Sequence, residues 1–252
     1  MTNCELKRLL KIEETTKFDG WNFSYLKDRW EAEDLPWNYK DIVEQYLKPQ
    51  YRLLDMGTGG GEFLLSLNHP YHNTSVTEMW EPNVLICKRT LSPLGIDVKQ
   101  VFCDDNLPFS NSSFDMIINR HESYDIKEVK RILKPNGIFI IQQVGDKNNE
   151  NLSKKLIKNF KPMYKNINLM DKVQEMKTND FEVLYAKEYF PYLRFYDVGA
   201  LVYFAKVIEW EFPNFSVDNN FKQLCELNKE LEHTSYIEGL EHRFIIVCKN
   251  IK

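Results

Sequence analysis

From Tyr51 to Val144 short apolar runs alternate with amphipathic stretches. The runs Tyr51–Asp55, Ser75–Met79, Val98–Cys103, Phe114–Asn119 and Ile138–Val144 have the length and composition of strands, the fourth apolar except at Asp115. Between them Glu62–Leu67, a segment from Pro82 to about Leu91, and Asp125–Leu133 pattern as helices. Pro82 suits the first turn of its helix, and Lys134-Pro135-Asn136-Gly137 stops the last one. Strands alternating with helices predict parallel βαβ units, whose ligands sit outside the carboxyl ends of the strands. The flanks differ. Residues before Tyr51 pattern as helical and carry Trp21, Phe23, Tyr25, Trp30, Trp37, Tyr39 and Tyr46. Beyond Val144, Lys154–Phe160 and Met170–Lys177 read as helices and Glu182–Phe195 as one long strand. Asp197–Trp210 and Asp218–His233 read as two more helices, and His242–Lys249 as a final strand.

A chain of 252 residues can bury one large core with room for a lid or insertion. The net charge of −4 gives no general attraction for nucleic acid or an anionic membrane. No run approaches the roughly 20 apolar residues that span a bilayer. The first ten residues lack the apolar stretch of a secretory signal. Cys4, Cys87, Cys103, Cys225 and Cys248 are scattered, without the spacing of a metal or redox motif. They read as reduced thiols of a cytoplasmic protein, a monomer or homodimer, with no metal.

Residues 53–63 read Leu-Leu-Asp-Met-Gly-Thr-Gly-Gly-Gly-Glu-Phe. Glycine costs backbone entropy, so a cluster at Gly57, Gly59, Gly60 and Gly61 needs a reason: something must approach the backbone closely. A dinucleotide loop reads G-x-G-x-x-G, with its acid about 20 residues on. Here an acid, Asp55, stands two residues ahead of the first glycine. A diphosphate would be repelled by it, whereas a zwitterion carrying an ammonium group would be attracted. The chain therefore resembles the class I S-adenosylmethionine-dependent methyltransferases, of the type 11-like kind, from about Tyr51 to Gly145. The resemblance implies an α/β fold: a seven-stranded, mostly parallel sheet in a three-layer Rossmann-like sandwich. An N-terminal helical segment and a helical insertion before the last strand would be added to it. It implies one domain, with a helical cap over 1–48, a cofactor-binding core over 49–148, and C-terminal strands with a helical lid over 149–252. It implies S-adenosylmethionine as cofactor and S-adenosylhomocysteine as product.

By the same resemblance Asp55 faces the methionine ammonium, and Gly57, Thr58, Gly59 and Gly61 let the backbone pass close to the ligand. Glu78, 23 positions after Asp55, holds the ribose hydroxyls, and Met79 lies with Trp80 near the adenine. Cys103-Asp104-Asp105-Asn106-Leu107-Pro108-Phe109 matches a stretch that often reads G-D-A-x-x-L-P-F, so Asp104 accepts from the adenine amino group and the Asp105 amide donates to the ring. Asn119 joins these contacts. Asn136 stands where the family usually has glycine. Each acid has a plainer reading: Asp55 as a helix cap, Glu78 as an exposed strand end, Asp104 as a turn residue.

The acceptor side follows the fourth strand, at Asn119-Arg120-His121-Glu122-Ser123-Tyr124. His121 is the candidate base, or else a structural histidine. Arg120 could hold an acidic substrate or merely pair with Asp125. Tyr124, Trp37 and Tyr203 are candidates for substrate contact, and Trp21 and Tyr25 are candidate pocket residues beside the alternative of ordinary core. About 45 residues separate the last two predicted strands, where a hairpin is usual. That insert and the aromatic N-terminal segment are expected to form a lid over the carboxyl edge of the sheet. A small-molecule methyl acceptor leads. The alternatives are an rRNA or tRNA methyltransferase and a non-catalytic S-adenosylmethionine-binding protein. Gln142-Gln143-Val144-Gly145-Asp146-Lys147 is similar to a bacterial ribosomal RNA guanine methyltransferase, whose cysteine-rich zinc module is missing here. The basic cluster Lys154, Lys155, Lys158, Lys161 and Lys165 spreads round a helix and reads as a solvated face, so nucleic acid is not the expected partner.

Overall fold

The computed structural model describes residues 2–18 and 23–251, which leaves Trp21 outside the described residues. The chain begins with α1 (Asn3–Thr15), β1 (Trp30–Ala32), α2 (Tyr39–Tyr46), β2 (Leu53–Met56) and α3 (Glu62–Ser66). It continues through β3 (Thr74–Glu78), α4 (Glu81–Thr90), β4 (Asp97–Gln100), β5 (Phe114–Arg120), α5 (Ile126–Ile132) and β6 (Leu133–Val144). Next come α6 (Glu150–Leu156), α7 (Leu169–Thr178), β7 (Phe181–Tyr189) and β8 (Tyr192–Phe195). Last are α8 (Val198–Val207), α9 (Val217–Thr234), β9 (Ile237–Leu240) and β10 (Arg243–Asn250). The segments fall into two interleaved units. One holds the chain up to Leu35, Gly145–Asn166 and Tyr189–Arg243; the other holds Pro36–Val144, Ile167–Glu188 and the chain from Phe244.

The second unit is built on a seven-stranded sheet in the order β4-β3-β2-β5-β6-β10-β7. The pairs β2–β3, β2–β5, β3–β4 and β5–β6 are parallel, so all five of these strands end on one edge. Their side chains alternate between two cores. Leu54, Ile117, Phe139, Ile141 and Ile246 pack on one face with Ile126, Val129 and Ile132 of α5 and Met176 of α7. Leu53, Ile118, Ile140, Ile245 and Val247 pack on the other with Tyr39 and Val43 of α2, Leu64 of α3 and Cys87 of α4. Both faces of the strands are buried, which is why they read as nearly continuous apolar runs. This is the expected α/β sandwich. The break at 134–137 lies inside β6 as a bulge, where pairing jumps from Phe114↔Leu133 to Met116↔Ile138. Asn136 turns there at φ 63°, left-handed backbone that asparagine tolerates.

The first unit packs α1, α6, α8 and α9 with a three-stranded antiparallel sheet, β1-β8-β9, around a separate core. Two expectations are corrected here. Trp30–Ala32, in a segment that patterned as helical, is strand β1 and pairs with β8. Glu182–Phe195 is two strands, since Phe190-Pro191 separates β7 in one sheet from β8 in the other. Proline has no N–H to continue a ladder. The insertion before the last strand holds α8 and α9 as expected, and also β9. Arg29 ties this unit together, donating to Asp197 at 2.7 and 2.9 Å and to Glu13 at 2.9 Å.

Phe139 is fully buried and meets the Tyr124 ring edge-on at 5.3 Å. Phe139→Ala should cost about 3–5 kcal/mol in denaturant unfolding. A loss under about 1 kcal/mol would mean that this layer is loosely packed.

Candidate functional site

The carboxyl ends of β2 to β6 carry most of the polar residues singled out in the sequence. β2 is buried along its whole length and ends in Asp55-Met56, with Asp55 5% exposed. Burial pushes the Asp55 carboxyl up to about 7; the Thr58 side chain and the Arg120 charge oppose the rise, and Glu78 adds to it. The chain then turns through Gly57, φ 67°, and Gly59, φ 63°. A side chain at Gly57 would meet the Glu122 side chain at 2.5 Å, while one at Gly59 would meet nothing within 4 Å. Gly57 is therefore filled from outside, and Gly59 faces open space.

The amides of this loop are already used. Gly57 and Thr58 donate to the Thr77 carbonyl at 3.0 and 3.1 Å, and Gly59 donates to Glu78 Oε2 at 2.8 Å. Glu78 Oε1 accepts from the Met79 and Trp80 amides, both at 3.0 Å. Neither Asp55 nor Glu78 has the plainer role considered for it: Glu78 is buried, and the helix behind the loop, α3, starts from Gly61 without a side-chain cap. That helix has five residues, so its dipole is a weak source of anion binding.

The segment after β5 is pinned by side-chain amides. Asn119 is fully buried; its Oδ1 accepts from Gln143 Nε2 at 2.8 Å and from the Glu122 amide at 3.3 Å. Its Nδ2 donates to the Ser123 carbonyl at 3.3 Å. His121 turns at φ 66°, sparsely populated backbone for a residue with a Cβ. Its N–H donates to the Gln142 carbonyl at 2.9 Å. The Trp37 indole N–H donates to Gln142 Oε1 at 2.8 Å, and Gln142 Nε2 stands 3.4 Å from His121 Nε2. An indole can only donate, so the Gln142 oxygen is fixed as the acceptor and its NH₂ is turned to the imidazole. His121 Nε2 therefore presents its lone pair to that amide. Burial raises the Glu122 carboxyl, the Ser123 amide lowers it, and the charges of Glu78 and Asp104 raise it further. Glu122, Glu78 and Asp104 thus form one acidic group.

Asp104 and Asp105 lie in the loop after β4, Asp104 half-buried and Asp105 exposed. Met79, Trp80 and Phe102 are large apolar side chains left exposed just past the ends of β3 and β4, at 55%, 54% and 77%. Phe102, Gln142, Gln143 and the Glu122–Gly57 contact went unassigned in the sequence. The signal for the glutamines was there: two amides close an otherwise apolar strand. The other candidates have contacts of their own. Tyr124 packs on Phe139 and donates to Glu175 Oε2 at 3.2 Å, and burial raises its hydroxyl well above its usual range. Tyr203 is buried in the core of the first unit, 4.6 Å from the Tyr25 ring. Asp125 caps α5 by accepting from the Glu128 amide at 2.8 Å. Of the lysine cluster, Lys154 pairs with Glu150 and Lys155 with Glu230. Among the described residues no three His, Cys, Asp or Glu side chains group as a metal site, and no helix is long and apolar enough to cross a membrane.

Residues 54–141, from β2 into β6, match the family model described as a methyltransferase domain. No curated protein matches the chain. Among solved structures, a SAM-dependent methyltransferase of Methanosarcina mazei is 17% identical, with TM-score 0.51 over 87% of this chain and 99% of that one. The YcgJ protein of Bacillus subtilis is 14% identical, with TM-score 0.55 over 84% and 98%. A functionally unknown protein of Deinococcus radiodurans R1 is 11% identical, with TM-score 0.55 over 98% of each chain. Likenesses at these identities concern the fold. Residues 54–141 thus resemble a methyltransferase domain, and the chain has the Rossmann-like fold of these neighbours.

Asp55 makes a prediction about the free protein. Below its unperturbed 3.8 the carboxyl is neutral folded or unfolded; between 3.8 and about 7 only the unfolded chain ionises, so stability falls as pH rises through that window. Asp55→Asn should therefore raise the thermal midpoint of the ligand-free protein at about pH 8, and the gain should shrink towards about pH 4. A midpoint lowered at the higher pH would mean that Asp55 is ionised and paired in the free protein.

Proposed function

We propose that this protein transfers a methyl group from S-adenosylmethionine to a small-molecule acceptor. One observation carries the reading: two buried carboxylates flank a glycine turn whose amides of Gly57, Thr58 and Gly59 are already bonded within the protein. A diphosphate needs free amides and no nearby anion, so this turn suits a ligand with a positive group. The donor's sulfonium supplies an electrophilic methyl group for in-line displacement. The chain's part is to bind and align. Asp55 faces the ammonium. Glu78 accepts from three amides and keeps its remaining lone pair, on Oε2, for a ribose hydroxyl. Met79, Trp80 and Phe102 offer exposed apolar surface to an adenine, with Asp104 for its amino group. Open space beside Gly59 is where a Cβ would intrude on the ligand. Asn119 serves by holding the following turn.

The reacting groups would meet beyond β5. His121 Nε2 already accepts from an amide 3.4 Å away, a contact long enough to orient the ring without locking it. His121 then aligns an acceptor, or takes a proton at Nε2 after the amide gives way. Alignment alone can supply about 7–11 kcal/mol of barrier lowering. Ion pairing of Lys154 and Lys155 favours a small acceptor over RNA.

Calorimetry with S-adenosylhomocysteine should show binding that releases a proton and weakens up to about tenfold per pH unit below about 7, because the ammonium needs the ionised Asp55. Asp55→Asn should bind more weakly, with a flat pH profile. Transfer of a labelled methyl from the donor into a metabolite extract should mark small molecules. Binding of a nicotinamide dinucleotide in place of both donor and product would refute the reading; tight donor binding without any transfer would leave a binding protein only.

A further inference from the structure

We infer that Arg120 is a carboxylate-binding residue that works beside Asp55 to hold the charged end of an amino acid. The inference deepens the donor reading above and rests on it. Arg120 is the last residue of β5, and its side chain is exposed. Three cations near the ends of β5, α5 and β6 are spent: Arg131 bonds Glu128, Lys130 pairs with Asp180, and Lys134 pairs with Asp115 at 2.8 Å. Arg120 makes no hydrogen bond or ion pair among the described residues. Asp125, the partner that the sequence offered, is used as a cap.

The guanidinium is nevertheless placed. It lies 4.7 Å from the centre of the Phe63 ring and 6.0 Å from that of Tyr39. Those rings are 5.2 Å apart, and the Tyr39 hydroxyl donates to the Asn119 carbonyl at 3.2 Å. Stacking on a ring face holds the plane of the guanidinium and leaves its N–H fork open at the edge, the geometry that matches a planar anion. β2 and β5 are neighbours, with Asp55 opposite Ile118, so Arg120 stands two residues further towards the strand ends. The Arg120 charge is felt at both Asp55 and Tyr39. A carboxylate and a guanidinium side by side complement an ammonium and a carboxylate on one carbon. That zwitterion is the amino-acid end of the donor; the carboxylate could instead belong to an acidic acceptor. The chemistry recognised is the same, and the test tells the two apart.

Arg120→Gln and Arg120→Lys are compared with the wild type by calorimetry with S-adenosylhomocysteine and with methylthioadenosine, which lacks the amino-acid end. If the carboxylate is the donor's, Arg120→Gln should weaken S-adenosylhomocysteine about 10- to 100-fold and leave methylthioadenosine unchanged, with Arg120→Lys in between. If it is the acceptor's, both ligands should bind as before, while labelled products retained by anion exchange, present with wild type, disappear with Arg120→Gln. The inference is overturned if both nucleosides weaken equally. It is also overturned if nothing changes, or if affinities are unchanged and the wild type labels no anionic product. Failure of the wild type to bind either nucleoside would instead overturn the donor reading on which the inference stands.

Discussion

A carboxylate at the end of a strand buried on both faces has almost no water to stabilise its charge, and Asp55 is in that position. Glu78, one strand away, is just as buried but receives three backbone amides. The difference between them organises the edge of the sheet. The amides that a glycine loop would normally offer to an anion are given to Glu78 and to the Thr77 carbonyl. What is left is a turn with surplus negative charge and open space at Gly59. A free protein so built is less stable at neutral pH than it could be, and a cation arriving at Asp55 recovers that stability. Preorganised charge of this kind is a common source of selectivity in binding sites.

The same economy of backbone groups governs the segment after β5. Residues 121–123 form no regular structure, yet Asn119, Gln142 and Gln143 make five hydrogen bonds in the network around them. The left-handed His121 would relax without that support. Trp37, from the stretch before α2, reaches this network through Gln142. The imidazole is thus oriented by a chain of donors whose direction is set by an indole that cannot accept.

Much of this was legible in the sequence because burial on two faces leaves an unmistakable mark. β2, β5 and the second half of β6 are apolar runs with polar residues near their carboxyl ends: Asp55, Asn119 and Arg120, and Gln142 and Gln143. The glycine spacing and Asp55 were visible for the same reason: a positive φ and a buried acid are both costly, so neither occurs idly. The first unit was harder to read. β1 has three residues, and its strand character comes from pairing with β8, some 160 residues away, which no local pattern records. Pro191 was the missed signal for the break between β7 and β8. Aromatic residues carry an ambiguous signal. Tyr124 and Tyr203 are pocket candidates by sequence, and in the structure Tyr124 bonds Glu175 and Tyr203 packs on Tyr25; a large ring with a polar tip serves a core as readily as a pocket.

Methyl transfer needs no nucleophile from the protein, only the reacting atoms in line. The arrangement at the strand ends fits that demand: most of its side chains hold something else in place, and few are left over. Asn119 holds a turn, Gln142 holds a ring, Phe63 and Tyr39 hold a guanidinium, and Glu122 closes over Gly57. Groups oriented before the ligand arrives lose little entropy on binding it. The residues that remain uncommitted, Asp55 with its raised carboxyl and Arg120 with its open fork, carry opposite charges on neighbouring strands. A ligand with a single charge would satisfy one and leave the other unpaired, so a site built on both would discriminate through the pair rather than through either residue alone.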